Sequence, residues 1–499
     1  MQTLLTAAQM RNADAYTIKH QSISSINLME KAAKAFVKVF KKEVSNKESK
    51  ISILCGQGNN GGDGLAIARL LDDENYKNVV VYLITFSTGQ SEDNKKNIKR
   101  LLKLKVPVTI IKEAKIVKNL QSDVLIDAIL GSGLNKPLQG DYATVATFVN
   151  GLKTKVISVD VPTGFNSEGG IAEKYNGIKA DLTICFQRPK INFFCPESVK
   201  ALDKFKVVDI GLDENFIESQ KSEWKLTTES EIQQLLKPRK NFSHKGTYGH
   251  ALLVAGNNTT MGAALLSASA CLHTGAGLTT VCLPQSGLTA LNTALPEVMA
   301  LPRNQYLAME AFDRFSAIAV GPGLGVEEEN EELLEKLVNL RKPLVLDADA
   351  LTILSQRGDL LYELPAQSIL TPHMKEFDRL FGEHKNWWKR VETAKREAIA
   401  RDLIFVLKNQ YTFVCLPNGN VHINPTGNPA MASGGMGDVL TGIITALVAQ
   451  SYSSADAAIL GTYLHGKAGD ELAKERFTVS ASQVVLQIPK TMKKLLATD

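Results

Sequence analysis

Short apolar runs without polar alternation recur along this chain, and several end in glycine, asparagine or aspartate. In the first 210 residues they are ISILC (51–55), NVVVYLI (78–84), DVLIDAI (123–129), KVISVD (155–160) and DLTICF (181–186). A strand with one solvated face alternates apolar and polar residues; a strand covered on both faces by helices does not. The runs therefore predict a parallel, doubly wound α/β sheet. A covering helix is expected from Ser22 to Lys42, with Ile26, Met29, Ala33, Phe36, Val37 and Phe40 at helical spacing. A second series follows: HALLVA (250–255), LTTVCL (278–283), SAIAVG (316–321), PLVLDA (343–348), SILTP (368–372) and LIFVLK (403–408). Helices are expected to close the chain at 437–450, 455–474 and 481–496. Residues 213–244 are polar, with no strand-like run. A junction near 222 is expected to split the chain into domains of residues 1–222 and 223–499, each long enough for its own core.

Composition excludes more than it selects. Lys+Arg 57 against Asp+Glu 52 leaves +5 over 499 residues, no footprint for nucleic acid. The six cysteines (55, 185, 195, 271, 282, 415) form no CxxC, which argues against zinc or a disulfide framework and for a reducing compartment. The first 20 residues lack the order of a signal peptide, and no apolar run reaches the ~18–20 residues of a membrane span. The expectation is a cytoplasmic protein without membrane or nucleic-acid partners.

The first chemical signal is GQGNNGGDG (56–64), between an apolar run and a helical pattern. Five glycines let backbone approach a ligand, and free N–H groups at the helix start favour an anion, most simply phosphate. It is neither a GxGxxG nor a Walker loop. Asn59, Asn60 and Asp63 add polar groups that a tight turn does not need. Two further loops fall at predicted strand ends, Asp127 with GSGLNKP (131–137) and Asp160-Val-Pro-Thr-Gly (160–164). One aspartate after a strand usually caps the next helix. Three such loops together argue for one shared site.

The second signal is NPAMASGGMGDVLTG (428–442), where glycines 434, 435 and 437 lead into an apolar helix with Asp438 at its start. Amides there would stabilise a transferring phosphoryl group while the carboxylate deprotonates an acceptor hydroxyl. Lys408–Thr412 (KNQYT), GPGLG (321–325) and AGNNTTMGAALL (255–266) follow other predicted strands. His373 by itself reads as a satisfied core histidine. Asp347 and Asp349 in LDADAL suit either a metal or a cap.

GQGNNGGDG, DAILGSGLNKP and SVDVPTG together resemble the YjeF-type NAD(P)H-hydrate epimerase domain over about residues 1–215, implying a Rossmann-like fold. The resemblance implies that Asn59, Asn60, Gly61, Gly62 and Asp63 bind the hydrated dinucleotides NADHX and NADPHX, with Gly131, Ser132, Gly133, Leu134, Asn135, Lys136 and Pro137. Asp160 would reach the altered ring, and Asn60, Asp127 and Thr163 would hold K+. The second half resembles the ribokinase-like NAD(P)H-hydrate dehydratase over about 225–499, through HKGTYGHALLVAG, VGPGLG, LDADAL, LTPHMKEF and NPAMASGGMGDVLTG. By that resemblance Ala263, Gly323, His373 and Asp438 contact the hydrated cofactor. Lys408, Asn409, Gln410, Tyr411, Thr412, Asn428, Ser433, Gly434, Gly435 and Gly437 contact ADP, with Mg2+ accompanying the phosphates. Asn409 departs from the family's usual glycine, and GNNTT from its commoner serine and glycine.

The chemistry implied is cofactor repair by epimerisation and ADP-dependent dehydration, with Asp160 and Asp438 as the catalytic carboxylates and a homo-oligomer as the expected state. Two alternatives stay open at this level. A small-molecule hydroxyl kinase fits the GGMGD loop equally well but gives the first half no task. A non-catalytic nucleotide-sensing first half would not need Asn60, Asp127 and Asp160 together.

Overall fold

The computed structural model describes residues 1–134, 136–303 and 309–497. The chain forms two compact units. One comprises Thr3–Ser222 with Asn386–Trp388, the other Met1–Gln2, Glu223–Lys385 and Lys389–Asp499. Among the described residues no helix is long and apolar enough to cross a membrane.

After the short strand β1 (Gln2–Thr3), the N-terminal unit contains β2 (Ile51–Cys55), β3 (Val79–Ile84), β4 (Val108–Ile111), β5 (Val124–Ala128), β6 (Lys155–Val159), β7 (Ala180–Phe186) and β8 (Leu202–Val208). They form a parallel sheet in the order β4-β3-β2-β5-β6-β7-β8. Successive residues of β2 explain its unbroken apolarity. Ile53 and Cys55 pack in a core with Phe36 and Phe40 of the helix Ser25–Glu43, whereas Leu54 joins a separate core with Val145, Ala146 and Val149 of the helix Gly140–Asn150. Strands β4 and β8 carry no unbroken run because they are the two edges. Exposed Lys204 and Lys206 on β8 are the kind of residue that blunts an edge.

The C-terminal unit contains β9 (Trp224–Leu226), β10 (His250–Val254), β11 (Leu278–Leu283), β12 (Met299–Pro302), β13 (Ala317–Val320), β14 (Leu344–Leu346), β15 (Ile369–Leu370), β16 (Ile404–Leu407), β17 (Thr412–Cys415) and β18 (Val421–Asn424). The sheet order is β1-β9-β18-β17-β16-β15-β14-β13-β10-β11-β12. It is parallel from β12 to β16 and antiparallel through β17 and β18. The segment 213–244, expected to lack strands, contributes β9, a three-residue half-buried strand too short to leave a pattern. The closing helices are Met436–Ala449, Ser454–Ala473 and Ala481–Leu496. At Gly442 a Cβ would lie 2.1 Å from the Ser267 carbonyl oxygen, so glycine lets two buried helices touch backbone to backbone.

In both sheets the chain builds outward and then returns to the other side of its starting strand. That leaves a switch point between β2 and β5, and another between β10 and β13, where open α/β sheets place ligands. The six cysteines are free thiols and all are buried. Burial pushes each thiol's pKa upward.

Candidate active sites

The first site lies at the β2/β5 switch point. Asn59 opens the helix Asn59–Asp73, whose first amides have no acceptor within the helix. Gly61 is required by proximity: a Cβ there would sit 1.8 Å from the Gly56 carbonyl oxygen, backbone against backbone. Asn94 Nδ2 donates to the carbonyls of Gly56 and Gly58 at 2.9 and 3.0 Å, and Asn97 Nδ2 to that of Gly62 at 3.0 Å. Nothing in the sequence marks these asparagines, because the highly charged stretch EDNKKNIKR reads as a solvated helix. Gly61→Ala is expected to cost ~1–3 kcal/mol or more, because neither backbone can yield. Thermal unfolding of the variant checks this, and an unchanged midpoint would contradict the close approach.

A cavity of about 600 Å³ is lined by Asn59, Asn60, Asp63, Gly131, Ser132, Gly133, Leu134 and Asp160. Gly61 and Gly62 are buried in the helix's first turn, Lys136 and Pro137 fall outside the lining, and Asn135 lies outside the described residues. Asp160 has φ +63°, an uncommon conformation for a residue with a side chain. Its Oδ1 accepts from Phe186 N at 3.0 Å and pairs with Lys190 Nζ at 2.8 Å. Burial would lower the Lys190 ammonium, but Asp160 outweighs it and holds the pKa above the usual value. Asp14 also lines the cavity; neither it nor Lys190 stands in a motif, so the sequence offered no signal for them.

Beneath the cavity Asp127 is fully buried. Its oxygens accept from Thr163 Oγ1 (2.7 Å), Thr163 N (2.8 Å), Ser158 Oγ (2.8 Å) and Ile129 N (3.3 Å). These donors are all neutral, and burial pushes Asp127 upward against them. Asn60, next to Gly131, has an amide nitrogen with no hydrogen-bond partner.

The second site is built by adjacent strand ends. β15 and β16 run side by side, which brings His373 opposite Lys408, with Lys408 N donating to Pro372 O at 3.0 Å. His373 is exposed rather than a core histidine. Its Nδ1 accepts from Lys375 N and Glu376 N, capping the helix Met374–Phe381, so the polar task comes from the helix start. A cavity of about 730 Å³ is lined by His373, Lys408, Asn409, Gln410, Thr412, Asn428, Ser433 and Gly437. Thr412 is the first residue of β17, in a β17–β18 hairpin that the KNQYT reading did not anticipate. Tyr411, Gly434 and Gly435 fall outside the lining. Asn409 presents a buried Nδ2 without a partner. His465, not foreseen, also lines the cavity; burial first and Lys408 second lower its pKa to about 4.

Gly435, at φ +87°, turns the chain into the helix Met436–Ala449, on whose first turn Asp438 stands. Lys408 Nζ bonds Asp347 Oδ1 at 2.6 Å and lies 3.9 Å from Glu376, while Thr441 Oγ1 donates to Asp347 Oδ2 at 2.8 Å. Burial would raise Asp347, but Lys408 and the threonine hydroxyls outweigh it and keep the carboxylate low. Asp438, half-buried near Asp347 and Asp349, is raised to about 6, chiefly by desolvation. Asp347 is thus a counterion, and Asp349 accepts from Gly325 N at 2.8 Å. Ala263 and Gly323 lie outside the cavity lining at the β10/β13 switch point, joined through Thr260: its Oγ1 donates to Gly323 O at 2.7 Å, and its carbonyl accepts from Ala263 N at 3.1 Å.

The YjeF-related N-terminal family profile matches residues 25–192, and that of NAD(P)H-hydrate dehydratase matches 251–490. The bifunctional NAD(P)H-hydrate repair enzyme Nnr of Moorella thermoacetica is 34% identical over 95% of this chain and 93% of its own. The chain belongs to the Nnr family. The Escherichia coli Nnr is 33% identical over 84% of this chain and 80% of its own. A ribokinase-like superfamily structure from Enterococcus faecalis aligns with TM-score 0.51 and 28% identity, covering 56% of this chain and 99% of that one.

Proposed function

We propose that this Nnr-family chain epimerises (R)- and (S)-NAD(P)HX in its N-terminal unit and dehydrates the S form to NAD(P)H in its C-terminal unit, converting ADP to AMP and phosphate. The observation that carries the reading is the pair of carboxylates, Asp160 lining the first unit's cavity and Asp438 opening a helix near Asp347 and Lys408 in the second, in one chain related over nearly its whole length to bifunctional repair enzymes. In the hydrate, a hydroxyl on nicotinamide C6 sits beside the ring nitrogen. That nitrogen can expel the hydroxyl to form an iminium, and water can return to either face with Asp160 as acid–base group.

In the second unit Asp438 would take the proton of the same hydroxyl as it is phosphorylated. A pKa of about 6 leaves Asp438 ionised at neutral pH, yet basic enough to hold a proton. Lys408 and the amides opening the helix Met436–Ala449 would stabilise the phosphates. Phosphate then leaves far more readily than hydroxide.

K+ fits the first site: Asp127 and Thr163 offer hard oxygens, Asn60 adds an amide oxygen beside Gly131, and the buried Asp127 carboxyl meets neutral donors alone. The ion would supply the missing positive charge and fix the loop ends. Mg2+ would ride on the nucleotide's phosphates, its usual mode; among the described residues no group of three or more His, Cys, Asp or Glu is placed to hold a metal.

The test follows dihydronicotinamide absorbance after adding ADP, Mg2+ and K+ to mixed R and S hydrates. Complete recovery of absorbance is expected. If neither ADP nor ATP restores any, the repair reading fails.

A further inference from the structure

Five ionisable side chains line the N-terminal cavity: Arg11, Asp14, Asp63, Asp160 and Lys190, with Asp160 acting on each of Asp14, Asp63 and Lys190. Asp160 is pinned by Lys190 and Phe186 N. Asp14 is not pinned. It projects from the helix Ala7–His20, whose start is fixed by a Thr6–Gln9 capping box and by Ala7 N donating to Glu168 Oε2 at 2.9 Å. Among the described residues the Asp14 carboxyl, half-buried, makes no hydrogen bond and no ion pair.

Held by no protein group, the half-buried Asp14 carboxyl is free to meet a ligand in the cavity it lines. Epimerisation supplies a reason. The C6–O bond must break on one face of the ring and form on the other, and a carboxylate held by a salt bridge on one strand end serves one face.

We propose that Asp14 is the second acid–base residue of the epimerisation site, serving the face of the nicotinamide that Asp160 does not. The proposal rests on the epimerase reading above. In one direction Asp14 gives its proton to the departing C6 oxygen, which leaves as water with the C–O bonding pair, while the ring nitrogen's lone pair forms the iminium. Water then adds to C6 from the other face, the C=N pair returns to nitrogen, and the added water's proton passes to Asp160. Solvent restores the two carboxyls, and the reverse direction exchanges their roles.

The groups around Asp14 suit this task. Asp63 faces it from the glycine-loop helix, Asp160 and Lys190 from the ends of β6 and β7, and Arg11 shares its own helix. Burial first, then Asp160, raise Asp14 to about 6 against the pull of Lys190. Asp63 is pushed well above the usual carboxylate range by burial and three neighbouring carboxylates.

The experiment measures R-to-S conversion across pH in wild type, Asp14→Asn and Asp14→Glu, using full-length protein in the presence of K+. Wild type is expected to lose rate tenfold per pH unit above about 6, as Asp14 deprotonates. Asp14→Asn should fall about 100-fold or more and lose that limb, while Asp14→Glu keeps both activity and limb. Dehydration of the S hydrate should be unchanged in both, and circular dichroism with thermal melting checks folding of the N-terminal unit. An Asp14→Asn enzyme with wild-type rate overturns the proposal. So does one that is slow but keeps the limb, which makes Asp14 structural. A wild type that does not epimerise at all would instead overturn the underlying reading.

Discussion

Asp438→Asn is expected to slow ADP-dependent dehydration by two to four orders of magnitude while making the protein more stable. The loss follows from removing the base that takes the hydroxyl proton. The gain follows from linkage. The Asp438 pKa is raised from 3.8 to about 6 in the folded chain, so folding opposes its ionisation. Stability is therefore full below about pH 4, declines as pH rises to about 6, and stays reduced above that. The penalty is ~3 kcal/mol at most, and smaller in practice because the carboxyl keeps some contact with solvent. Asparagine escapes it, so the variant should unfold at higher denaturant than wild type at pH 8 and at the same point near pH 4. Wild-type dehydration should itself fade below about pH 6. An equally active variant, or a destabilised one at pH 8, would refute the assignment.

Asp160→Asn should abolish catalysed epimerisation, lowering it at least 100-fold, and leave the S hydrate's dehydration intact. Starting from mixed hydrates, absorbance would then recover quickly to the S fraction and afterwards at the spontaneous rate. Asparagine is the informative replacement because it tolerates the positive φ at this position. The substitution also strands Lys190, whose side chain is 5% exposed, and breaking such a pair costs ~3–5 kcal/mol. Adding Lys190→Met removes the stranded charge. Recovery of stability without recovery of epimerisation in the double variant would separate chemistry from folding; restored epimerisation would show that Asp160 is dispensable.

The central strands were legible because burial on both faces leaves an unmistakable apolar run, as in ISILC and LTTVCL. The edges β4 and β8 were not, since part of each meets solvent: exposed Thr109 interrupts β4, and exposed Asp203, Lys204 and Lys206 interrupt β8. The β17–β18 hairpin carried a usable signal, Asn418-Gly419 between two apolar runs, but KNQYT drew the reading toward a loop. The glycine loops could be read because close backbone approach forbids side chains. What could not be read were partners brought in from elsewhere in the fold: Lys190 on Asp160, Asp347 on Lys408, Asn94 behind the first loop. Lys190 and Asn94 are ordinary polar residues in sequence, and Asp347 stood out only as a metal ligand or cap; topology alone gives each its role.

The buried thiols supply a built-in clock for each half of the chain. Cys55, Cys185 and Cys195 belong to one compact unit and Cys271, Cys282 and Cys415 to the other. A thiol reagent attacks the thiolate, and burial suppresses both access and ionisation at all six. Alkylation therefore waits for opening. Pulses of reagent read by peptide mass would time the two units separately, and a nucleotide or hydrate that slows labelling in one set of three would reveal which half it grips.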